Sequence, residues 1–79
     1  MGFFDGFWAT SVAIKVINYN RVHVDTLSEQ QMRTLKVMSI SLKDKGMSKD
    51  EALSAINQLA IKHGGLVPAL NFYSENFGI

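Results

Sequence analysis

The chain has 79 residues, enough for one domain and too few for two, and a domain of this size buries only about 60% of the surface its unfolded form exposes. Apolar residues make up 47% and charged residues 19%, an apolar surplus that a small core cannot absorb and that predicts a surface patch for self-association or for a partner. The formal net charge of +1 argues against the clustered basic face of a nucleic-acid binder, and the lack of cysteine excludes disulfides and thiolate zinc sites, which predicts an ordinary cytoplasmic protein.

The opening MGFFDGFW sets Phe3, Phe4, Phe7 and Trp8 around Asp5 with no basic residue before Lys15. That pattern does not fit a secretory signal, and Gly6 stands where N-myristoylation requires Ser or Thr. The longest apolar runs are broken by Lys15, Asn18 and Asn20, short of a membrane span. At about 100° per residue, Ser11, Lys15 and Asn18 gather on a narrow face opposite a wide one of Ala9, Val12, Ala13, Val16 and Ile17, predicting a largely buried helix over residues 3–19. The alternative rests on the β-branched run VAIKVINYNRVHV and the alternation Val22-His23-Val24, which suit a strand or hairpin within 11–25 and an α+β fold. On the helical reading Phe3 and Phe7 join the core. Phe4 and Trp8 then reach a neighbouring chain or the C-terminal Phe72 and Phe77. Residues 20–27 read as a loop.

The next element is announced by TLSEQQM. Ser28 and Gln31 make a capping box, so a helix starts near Glu29 and runs to a stop at Gly46. The pattern repeats in GMSKDEAL, where Ser48 and Glu51 form a second box with Asp50 and Glu51 at the positive end of the helix dipole. That helix ends at His63-Gly64-Gly65, and the short connection makes residues 29–63 an antiparallel or steeply angled hairpin. The stretch GMSKDEALSAI loosely resembles the hairpins of ubiquitin-associated-type and other small three-helix binding domains. The likeness is confined to features of any capped hairpin and implies no function or site. Pro68 then suits the first turn of a short helix over residues 67–76, closed by Gly78, with Phe72, Tyr73 and Phe77 near one face.

The expected architecture is therefore a single all-α domain of three to four helices built on the capped hairpin, with the aromatic termini packed against it. No catalytic constellation is expected: Ser28 and Ser48 are committed to caps, and the Asp50-Glu51 pair is explained by the helix start. His23 and Asp25 fall short of a metal set, His63 suits a helix C-terminus, and no phosphate loop or cofactor motif is present. A helix-turn-helix reading of the hairpin puts carboxylates where phosphate would bind, which speaks against nucleic acid. The more informative oddity lies on the first capped helix. Met32, Leu35, Met38 and Leu42 form a core stripe, yet Val37 and Ile40 fall among Glu29, Arg33, Lys36 and Asp44. The expected function is a non-catalytic protein-interaction module, acting as a homo-oligomer or on a protein partner through Phe4, Trp8, Val37 and Ile40. The alternatives are a peripheral membrane protein that lays residues 3–17 in the lipid interface, and a nucleic-acid binder.

Overall fold

The computed structural model describes residues 5–77, and the side chains within 6–76, as four α-helices and a single 3-10 turn. These are α1 (Asp5–Tyr19), the turn at Val24–Thr26, α2 (Glu29–Asp44), α3 (Lys49–Lys62) and α4 (Leu66–Phe77). No strand occurs among the described residues, so the strand alternative within 11–25 is set aside. The β-branched run is helical as far as Tyr19 because its Val12, Val16 and Ile17 are buried against the other helices, and tertiary packing outweighs their intrinsic preference. Phe3, Phe4, Gly78 and the side chain of Phe77 lie outside the described residues.

Both capping boxes form as read. The Gln31 and Glu51 N–H groups donate to the Ser28 and Ser48 hydroxyls at 3.0 and 3.2 Å, and each serine N–H donates back to the Gln31 or Glu51 side chain. The helix exits share one geometry. After α2, Met47 N–H donates to Leu42 C=O and Gly46 N–H to Lys43 C=O; after α3, Gly65 donates to Ala60 and Gly64 to Ile61. After α1, Val22 donates to Ile17 and Arg21 to Asn18. In each case the residue after the cap must enter the left-handed region, where Gly46 has φ 88° and Gly64 φ 85°. At the end of α1 this place is taken by Arg21, with φ 55°. A side chain there costs about 1–2 kcal/mol that glycine avoids.

The core comes from all four helices. Val12 and Val16 of α1, Leu35 of α2, Ile56 of α3 and Leu70 of α4 are buried, each contributing about 1.5–3 kcal/mol relative to exposure. α1 and α4 each pack across both α2 and α3, and α2 and α3 touch one another less than either touches α1 or α4, so the hairpin is an open frame filled from either side. Thr34 and Ser39 are buried polar residues on α2, and each returns its hydroxyl to the carbonyl one turn back, Gln30 at 2.8 Å and Leu35 at 2.8 Å. Asn20 ties the end of α1 to α3, its Nδ2 donating both to Val16 C=O and to Asn57 Oδ1 at 2.8 Å. Gln31 and Asn71 make a corresponding tie between α2 and α4 at 3.0 Å.

Candidate interaction surfaces

The apolar surplus expected from composition is on the surface. Large hydrophobic side chains remain exposed at Phe7 (74%), Ile61 (79%), Tyr19 (67%), Val24 (54%), Ile14 (51%), Phe72 (44%) and Val37 (42%). All but Val24 and Phe72 fall in three places, each beside a surface depression.

The first is a groove of about 410 Å³ where α2 meets α3 and α4, lined by Val37, Met38, Leu42, Leu59 and Tyr73, with Ser41 and Lys45 also in its wall. Val37 is thus an exposed wall residue of this groove. The α2 periodicity turns Met38 and Leu42 toward the core and leaves their outer edges as the floor. Tyr73 also belongs to an aromatic cluster at the α3–α4 turn. His63 stacks on Phe72 with ring centroids 4.5 Å apart, and Tyr73 meets both rings edge-on. His63 is therefore more than a polar helix end: its backbone caps α3 through Leu59 C=O while its ring supports the groove wall. Ile40 is half-buried and does not line this groove.

The second depression follows the outer face of α1 past Gly6, Phe7, Thr10 and Ile14 to Lys36 of α2. Here the structure corrects the assignment of Phe7. Expected in the core, it is mostly exposed, while Trp8, expected to reach a neighbouring chain or the C-terminal Phe72 and Phe77, is half-buried against the core. The helix wheel explains the exchange. The buried arc is centred on Ala9, Val12 and Val16, and Phe7 and Ile14 lie about 150° around the helix from it. The aromatic termini accordingly do not all pack inward: Trp8 and Tyr73 do, while Phe7, Tyr19 and Phe72 remain exposed.

The third depression, of about 260 Å³, lies between the end of α1 and one flank of α3 and holds Tyr19, Leu53, Asn57 and Ile61. Sequence reasoning passed over it, although Ile61 and Tyr19 are both more exposed than Val37. The available signal was Ile61 itself, an aliphatic residue out of phase with the Ala52-Ile56-Ala60 stripe.

The polar features are structural. Asp50 makes an exposed ion pair with Lys15 at 3.6 Å. The Ser48 N–H, with its hydroxyl alongside, holds the exposed Glu51 carboxyl below its ordinary 4.5. Among the described residues no cluster of three His, Asp or Glu side chains could hold a metal ion, and no helix is long and apolar enough to cross a membrane. No family model matches the sequence, and neither a curated protein nor a solved structure is significantly similar to it.

Proposed function

We propose that the chain is a non-catalytic protein-interaction module, a small adaptor, inhibitor or regulator of the cytoplasm, that receives apolar side chains of a protein partner in the α2–α3–α4 groove. The observation that carries this is the groove itself: Val37 stands 42% exposed over a floor of Met38, Leu42, Leu59 and Tyr73. Helices present such grooves to amphipathic segments, whose apolar side chains supply the affinity while polar rims set orientation.

Two alternatives are less well supported. For α1 to lie in a lipid interface, Ala9, Val12, Ala13, Val16 and Ile17 would have to leave the core they now fill. For α3 to read DNA, its exposed Asp50 and Glu51 would have to face phosphate.

The test is a binding titration of wild type and Val37→Asp against the partner recovered from the native host and purified, with light scattering of both proteins alone. Val37→Asp should melt like wild type and lose the partner, or lose the dimer if the partner is a second copy. Undiminished association in the folded variant refutes the groove.

A further inference from the structure

The outer seam between α1 and α2 carries a charge that its own residues leave open. The depression there, about 660 Å³, is bounded by Phe7, Thr10, Ser11 and Ile14 of α1 and by Lys36 of α2, its one charged lining residue among those described. Lys36 also lines the adjoining depression, together with Glu29, Met32 and Arg33 of α2. The two hollows thus share a lysine. Neither Lys36 nor Arg33 makes an ion pair among the described residues. Glu29, the one carboxylate lining either hollow, lies in the first turn of α2, where the helix dipole offsets its charge. The charge left on the seam is therefore positive.

The apolar part of the seam has a definite spacing. Phe7 and Ile14, 74% and 51% exposed, lie two turns apart on one stripe of α1, about 10 Å along the helix. Between them the short side chains of Thr10 and Ser11 leave a gap that an incoming apolar side chain can fill. Arg33 and Lys36 are three residues apart and so share a flank of α2.

We propose that the α1–α2 seam is a docking site for an acidic amphipathic segment of a protein partner, which sets an apolar side chain between Phe7 and Ile14 and its carboxylates against Lys36 and Arg33. The inference rests on the reading of the chain as an interaction module and adds to it a second surface that selects for acid. Charge complementarity names the occupant. A second copy paired through this face would double the uncompensated positive charge instead of offsetting it. Two cations beside a glutamate also fall short of the basic cluster that an anionic lipid surface attracts. Lys36 and Val37 are consecutive on α2 and turn about 100° apart, one lining the seam and the other the α2–α3–α4 groove.

The test uses the full chain as bait for a display library of random linear peptides, followed by titration of the enriched peptides against variants that melt like wild type. Wild type should enrich peptides with Asp or Glu near an aromatic or aliphatic residue, and added salt should weaken them. Lys36→Glu should weaken them about tenfold or more and turn a fresh selection toward basic peptides. Arg33→Glu, at an exposed position, gives the same reading if Lys36→Glu melts below wild type. Phe7→Ser should also weaken them about tenfold. Val37→Ser, which trims the groove wall without adding charge beside Lys36, should leave them bound. Enrichment of no acidic peptides, or acidic peptides indifferent to Phe7→Ser and to the charge reversals, overturns the proposal. So does a dimer, or binding to phosphatidylserine vesicles, that Phe7→Ser abolishes. Acidic peptides lost with Val37→Ser but kept by Phe7→Ser would overturn the seam while the groove reading stands.

Discussion

Replacing Arg21 by glycine should make the protein more stable, against the usual direction of a change to glycine. The left-handed backbone at φ 55° costs an L-residue about 1–2 kcal/mol that glycine does not incur. Glycine in turn loosens the unfolded chain, which takes back about 0.4–1 kcal/mol. Arg21 has no ion pair to lose among the described residues, so the net gain should be about 0.5–1 kcal/mol. For a domain of this length that raises the melting temperature by about 3–6 °C. Thermal and urea unfolding followed by far-ultraviolet circular dichroism measure it, with the urea midpoint rising at constant slope. Gly46→Arg is the mirror experiment. Nothing lies within 4 Å of a Cβ built at Gly46, so the loss there would come from the backbone alone. A variant Arg21→Gly that melts at or below the wild-type temperature would refute the strain argument.

The exchange of roles between Phe7 and Trp8 is open to a simple comparison. Phe7→Ser, at a position 74% exposed, should change stability by no more than about 0.5 kcal/mol. Trp8→Ala removes a ring packed on the core and should cost about 2 kcal/mol; the reverse order would place Phe7 inside. A third expectation concerns acid. A carboxyl held below its ordinary 4.5 stabilises the fold above that value and loses its contribution as pH falls through the lower, folded one. Glu51→Gln keeps a capping side chain but cannot ionise. Wild type should therefore melt higher than Glu51→Gln at about pH 6, and the gap should close as acid protonates Glu51 below its lowered, folded pKa. A gap that does not change with pH would show that the Ser48 contacts do not favour the ionised form.

Much of the frame was legible because local chemistry sets it. Ser28 with Gln31 and Ser48 with Glu51 mark where α2 and α3 begin, and Gly46 and Gly64 mark where they stop, since each satisfies backbone groups within a few residues of itself. The end of α1 at residue 19 was legible too, but the geometry of its exit was not: the position that glycine advertises elsewhere is occupied by Arg21, and only the hydrogen bonds of Arg21 and Val22 reveal it. The groove was half legible. Val37 stood out as apolar among charged neighbours, but Leu59 and Tyr73, which complete its walls, come from helices whose approach to α2 no local pattern encodes.

The aromatic start of the chain shows where residue type and residue phase part company. Burying large rings is favourable, yet in α1 the buried arc is Ala9, Val12, Ala13, Val16 and Ile17, mostly small and none of them aromatic. Small side chains let α1 lie close across both α2 and α3, and a phenylalanine in that arc would hold the helices apart. Phe7 and Ile14 are left outside because their phase is opposite to the contact, whatever their hydrophobicity. Ile61 is outside on α3 for the same reason, opposite Leu59. Composition foretold that apolar surface would remain, and helical phase decides which residues carry it. In this chain phase distributes that surface over separate flanks of the bundle.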